Sequence, residues 1–164
     1  MNRAPLLGAI LSIVTFAFTA TAGEFAPAVL PSANQNHHFI DSADHVRIAA
    51  VDHVAGDNDE LVVKVEIDPG FHVNANPASL PYLIPTTLNV TSQTPLRVDY
   101  PASISFKPKF ADQAIDVYEG SIQIVSKFPR GALSSNAHVF GTLTAQACTD
   151  EICLPPASLP LPMK

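Results

Sequence analysis

The sequence predicts an all-β chain, an immunoglobulin-like β-sandwich, on three observations. Short stretches rich in β-branched residues alternate apolar and polar positions, the period of a half-buried strand. Turn signals separate these stretches: "AGDND" at 55–59, "DPG" at 68–70, "TSQTP" at 91–95, "YEGS" at 118–121 and "PRG" at 129–131. The 15 prolines, several inside loops such as "NPASLPYLIP", leave no window for a long helix. About seven short strands punctuated in this way are the pattern of a sandwich.

The chain begins outside that fold. "MNRAPLLGAILSIVTFAFTATAGEF" opens with a charge at Arg3, continues through an apolar run over 6–18 and reaches the small residues Ala20-Thr21-Ala22. This order predicts a signal peptide over residues 1–22, cleaved before Gly23. An uncleaved anchor is the competing reading, disfavoured because the run is short for a membrane span. Residues 23–43 have no period and are expected to form a flexible arm. The domain is expected over 44–164.

Within the domain, "HVRIAAVDHV" is expected to turn Val46, Ile48 and Ala50 to one side. "ELVVKVEI" alternates Val63, Val65 and Ile67 with Lys64 and Glu66. "TTLNVTS", "SIQIVSKF" and "HVFGTLTAQA" supply further strands. The chain has no tryptophan, and its 2 cysteines, Cys148 and Cys153, stand too close in sequence to bridge opposing sheets. An antibody-type domain is therefore excluded.

Charge narrows the function classes. With 15 acidic residues against 9 basic ones, the formal net charge is −6. Such a balance argues against binding nucleic acid or an anionic membrane surface. Beyond the signal peptide no apolar run approaches the roughly 20 residues of a spanning helix, so the processed chain is expected to be exported and to carry no membrane span. Export implies an oxidising compartment, in which the two cysteines should pair.

The pair lies in "QACTDEICLPP", read as a strand ending at Cys148, a turn over 149–152 and a return strand from Cys153. Across such a hairpin the Cα atoms can approach the roughly 5.5–6 Å that a disulfide needs. As a staple the bond is weak: a six-residue loop contributes about 2 kcal/mol, against nearly 5 for a loop of about 100 residues. Asp150 and Glu151 raise rather than lower a neighbouring thiol pKa, which suits a carrier attacked by a partner thiolate. Three readings stand at this point: a redox-exchange disulfide, an inert hairpin disulfide in a binding or scaffold sandwich, and a metal site. The last is the weakest, because no histidines accompany the cysteines at ligand spacing. His72, in "GFHVNANP", reads as a structural histidine, and His37 and His38 as solvated residues of the arm. "NVTS" at 89–92 matches a glycosylation acceptor, relevant only on a eukaryotic secretory route. No cofactor motif is present.

Four segments in order, "DPGFHVNANP", "YLIPTTLNV", "FKPKFADQAIDVYEGSIQI" and "QACTDEICLPP", resemble the N-terminal periplasmic domain family of the thiol:disulfide interchange protein DsbD. The resemblance covers roughly residues 44–162. It implies an immunoglobulin-like fold, a periplasmic location and a role in passing electrons. The implied donor is a thioredoxin-like redox protein or domain, and the implied acceptors are disulfide isomerases or cytochrome c maturation factors. Carried over, Cys148 and Cys153 become the redox pair, with Cys153 the cysteine that forms mixed disulfides. The segment 110–118, with Phe110 and Tyr118 at its ends, resembles the loop that caps the disulfide, and Phe110 corresponds to the cap itself. This chain departs from the best-known member of the family in having four residues rather than five between its cysteines, and in having His72 and Asn74 where that member has aromatic residues. Ending at Lys164, it is expected to be a stand-alone exchange module and a component of a protein-disulfide reductase, not the complete enzyme.

Overall fold

A computed structural model describes residues 40–133 and 139–162. The expected signal peptide, and the arm up to residue 39, lie outside the described residues, as do His37 and His38. Among the described residues a 3-10 turn at Ser42–Asp44 precedes eleven strands: β1 Val46–Val54, β2 Asp59–Ile67, β3 His72–Asn74, β4 Thr87–Val90, β5 Arg97–Asp99, β6 Ile104–Phe106, β7 Ile115–Tyr118, β8 Ser121–Phe128, β9 Gly141–Ala145, β10 Ala147–Cys148 and β11 Ala157–Pro160. They form three antiparallel sheets, in the orders β1-β2-β8-β5, β10-β3-β7-β6 and β11-β9-β4. Among the described residues no helix is long and apolar enough to cross a membrane.

The alternation in β2 is kept throughout: Leu61, Val63, Val65 and Ile67 are buried while Glu60, Val62, Lys64 and Glu66 are less covered. Opposite it, β1 departs from the expected period. Val46 pairs with Ile67 and Ile48 with Val65, but the register then slips and Ala50 falls opposite Lys64. This bulge exchanges the two faces, so the buried residue of the second half is Val51 and not Ala50. The main core takes Phe128 and Ile124 from β8, Leu143 and Ala145 from β9, Leu88 and Val90 from β4, and Val73 and Tyr118 from β3 and β7. All three sheets thus close on one hydrophobic interior, the arrangement of a β-sandwich.

Two local features set the segments that flank the cysteine hairpin. The "DPG" turn is realised with Phe71 N–H donating to Asp68 O at 3.1 Å and Gly70 at φ +85°. That φ is open to glycine and costly for other residues, and the turn delivers the chain into β3. At the N-terminal end, the arm expected to extend through residue 43 is already part of the domain by Asp41. Asp41 caps the 3-10 turn through Ala43 N–H, and Asp44 returns the bond to Asp41 N–H. Ser42 is fully buried. A polar "DSAD" stretch carries no strand period, but it does carry a capping pair.

Candidate functional site

Cys148 ends β10 and pairs with Cys153 across a hairpin tip that carries Asp150 and Glu151. Their sulfurs form a disulfide, and the Cα atoms stand 4.0 Å apart. This is closer than the sequence suggests, for a reason visible in the hydrogen bonds. Thr149 N–H donates to Ile152 O at 2.8 Å on one side and Leu154 N–H to Ala147 O at 2.9 Å on the other. The cysteines therefore form a non-hydrogen-bonded pair, the type in which facing residues approach most closely. The Thr149 hydroxyl accepts the N–H groups of Glu151 and Ile152, both at 3.2 Å, and closes the tip.

The disulfide lies on one face of a two-faced sheet. In β10-β3-β7-β6, side chains alternate across the sheet. Ala147, Val73 and Tyr118 turn into the main core. Cys148 faces the other way, in register with His72 of β3, and Asn74 pairs with Val117 of β7 on that same side. A smaller apolar cluster covers this face: Leu83, Ala111, Ile115 and Val117, with Leu80, Phe106, Phe110 and Cys153 packed against it. Cys148 has no exposed surface beneath it, whereas Cys153 is half-buried and Ile152 beside it is 59% exposed.

The expected cap segment divides at this sheet. Phe110 packs on the cluster that holds Cys153. Tyr118 lies on the opposite face, in the main core, with its hydroxyl accepting Asn76 N–H at 3.1 Å. Residues 106–111 are the part that reaches the disulfide, because Lys109 ties them to the hairpin tip. Its backbone N–H donates to Asp150 O at 2.8 Å, and its Nζ lies 2.9 Å from a Glu151 oxygen and 3.0 Å from an Asp150 oxygen. The bonds to Glu151 and Asp150 hold the Lys109 ammonium above the ordinary lysine range. Within the loop, Lys107 Nζ donates to the Ala111 carbonyl.

Two residues brace the hairpin base. Gln146 accepts Asn74 Nδ2 and Ile84 N–H on one oxygen, both at 3.2 Å, and donates to Leu154 O at 3.3 Å. Ser42 Oγ accepts Ala147 N–H at 2.8 Å and donates to Pro155 O at 2.7 Å, so one side chain joins the strand before Cys148 to the segment after Cys153. Sequence reasoning missed Ser42, Lys109 and the bracing role of Gln146. Only Gln146 left a signal, as the residue that opens the cysteine motif.

His72 is 2% exposed and stacks obliquely on Phe106, with ring centroids 4.5 Å apart. Its Nε2 has no hydrogen-bond partner. Burial holds its pKa below the ordinary imidazole value, an effect that the Asp150 charge opposes. The ring borders an open cleft of about 480 Å³ with Asp68, Phe71, Glu119 and Asp150 on its walls. Among the described residues no three His, Cys, Asp or Glu side chains come together to hold a metal ion.

These elements make an antiparallel β-sandwich whose hairpin disulfide is linked through Lys109 to the loop over residues 106–111. The chain belongs to the family of the N-terminal domain of the thiol:disulfide interchange protein DsbD, which matches residues 40–159. Among solved structures it is similar to the N-terminal periplasmic domain of ScsB from Proteus mirabilis, at 19% identity and a TM-score of 0.52, over 72% of this chain and 46% of that one. It is also similar to the DsbD N-terminal domain of Neisseria meningitidis in its reduced form, at 14% identity and a TM-score of 0.47, over 79% of this chain and 91% of that one. This chain thus spans less than half of the ScsB chain, and that likeness speaks for the fold alone. No curated protein matches. The immunoglobulin-like sandwich expected from the sequence is the observed fold class.

Proposed function

We propose that this chain is a periplasmic thiol–disulfide exchange module. It passes electrons between a thioredoxin-like donor and periplasmic disulfide proteins, such as disulfide isomerases or cytochrome c maturation factors, through Cys148 and Cys153. In reduction, a partner thiolate attacks Cys153 Sγ, the S–S bond breaks, and Cys148 leaves with the electron pair. A second partner thiolate then attacks its own sulfur in the mixed disulfide and releases Cys153. Residues 1–22 direct export and are removed before Gly23. Phe110 is the capping residue, and the loop that carries it shields the bond from thiols that do not displace it.

The observation that carries this reading is the placement of the bond. A disulfide at a hairpin tip closes too small a loop to matter much to the fold, yet here Cys153 packs against an apolar cluster of its own and is only half-buried, while Cys148 is fully buried. Titration against glutathione redox buffers tests it. An exchange disulfide is expected above about −300 mV, where labile disulfides lie. A potential well below that line, with no transfer from a thioredoxin-like donor, would establish the inert scaffold disulfide instead.

A further inference from the structure

We propose that His72 is the proton acceptor for Cys148: once the disulfide opens, the Cys148 thiol passes its proton to the buried imidazole, and the resulting thiolate is held ready for exchange. The inference rests on the exchange reading above and adds to it the group that sets the state of the inner thiol.

Three observations converge on this residue. His72 faces Cys148 in register on the adjacent strand, and such facing residues have Cβ atoms roughly 4.5–5.5 Å apart, within reach of an imidazole. The ring is almost wholly buried, yet its Nε2 has no partner. A buried polar atom left unpaired is unfavourable and calls for a reason. The oxidised centre offers no S–H; the reduced centre offers one at Cys148. In the tautomer protonated at Nδ1, Nε2 is an acceptor, and the reduced state is the one in which a donor for it appears.

Charge balance follows from the surroundings. Burial keeps His72 neutral in the oxidised domain, free to take a proton. The charged groups around it are Asp150 from the hairpin tip, Asp68 from the turn before β3 and Glu119 from the turn after β7, all on the shared cleft. Lys109 is paired with Asp150 and Glu151 at the tip. The Asp150 carboxylate favours the imidazolium, and a thiolate at Cys148 favours it further. When a partner thiolate attacks Cys153, the electron pair of the S–S bond goes to Cys148, which takes one proton from water in the cleft and passes it to His72. When the domain is oxidised again, the Cys148 thiolate attacks Cys153 Sγ of the mixed disulfide, the partner thiolate departs, and the proton returns to water.

The test is a thiol titration in a domain with Cys148 as its only thiol. Cys153→Ser is compared with Cys153→Ser/His72→Phe and Cys153→Ser/His72→Gln, following thiolate absorbance near 240 nm from pH 5 to 10. Loss of His72 is expected to raise the Cys148 pKa by about one unit or more, a roughly tenfold loss of thiolate at neutral pH. Phe keeps the aromatic packing and Gln keeps a polar side chain, so if one fails to fold, the other decides. Superimposable titrations with and without His72 would overturn the proposal. A His72-dependent titration in a domain that fails to exchange with any partner would uphold it while removing the reading it rests on.

Discussion

Reducing the Cys148–Cys153 bond in the intact chain should weaken the fold only slightly. The bond closes a loop of six residues, 148–153, and the chain-entropy relation gives such a loop about 2 kcal/mol. The apolar interior is far larger: truncating Phe128 alone, fully buried in β8, is expected to cost about 3–5 kcal/mol. For a domain of this size, 2 kcal/mol corresponds to roughly 5–10 °C in Tm. A thermodynamic cycle carries the same quantity into redox terms. If the bond stabilises the fold by about 2 kcal/mol, folding must stabilise the bond equally, placing its potential about 40 mV below that of the unfolded chain. The assay is thermal unfolding followed by far-ultraviolet circular dichroism, for the oxidised protein, the reduced protein and the Cys148→Ala/Cys153→Ala variant. One cooperative transition with a modest fall in Tm is expected in each. Loss of the folded state at room temperature on reduction would instead make the bond a staple of the fold.

Lys109→Ala removes the two links that the Lys109 ammonium makes to the hairpin tip, so reduction of the disulfide by a small thiol should speed up; an unchanged rate would show that the loop is held by other contacts. Because Lys109 titrates above the ordinary lysine range, its charge and the attraction it provides are fully present at neutral pH and lost only as pH rises through that raised value. Added salt should reproduce part of the Lys109→Ala effect in the native chain, through screening of exposed charges. Ser42→Ala should destabilise the domain by about 1–3 kcal/mol, since it leaves the buried Ala147 N–H unpaired, and chemical denaturation measures this. A chain trimmed to begin at residue 44 should lose at least as much, and equal stability of the trimmed chain would put the domain boundary back where the sequence period begins.

The parts of this molecule legible in its sequence are those governed by local rules. β2 shows its two faces because each step of "LVVKVEI" obeys the strand period, and the "DPG" turn shows itself because proline and glycine fix their own backbone angles. The hairpin cystine is legible for the same reason. The second half of β1 is not, because a bulge at Ala49 is decided by pairing with β2, which no single strand reveals. The three-residue β3, His72–Asn74, is too short to display a period. Its silence conceals the most consequential neighbour of Cys148, since a register between residues 72 and 148 is a property of the sheet. Ser42 reads as part of a flexible arm because its partners, Ala147 and Pro155, lie more than a hundred residues away. Tyr118 and Phe110 look alike as members of one segment, and only β7 separates them onto opposite faces.

If Cys153 receives the partner while Cys148 stays buried behind it, trapping the mixed disulfide separates the roles of the two cysteines. A mixed disulfide persists when the thiol that would resolve it is absent. Cys148→Ser and Cys153→Ser, each with its remaining thiol activated as the mixed disulfide with thionitrobenzoate, are incubated with a thioredoxin-like protein that keeps only its attacking cysteine, run on non-reducing gels, and the linked peptides mapped by mass spectrometry. Cys148→Ser is expected to accumulate a complex joined through Cys153, and Cys153→Ser to accumulate little. Equal trapping by the two variants, or a link found mainly at Cys148, would contradict that expectation.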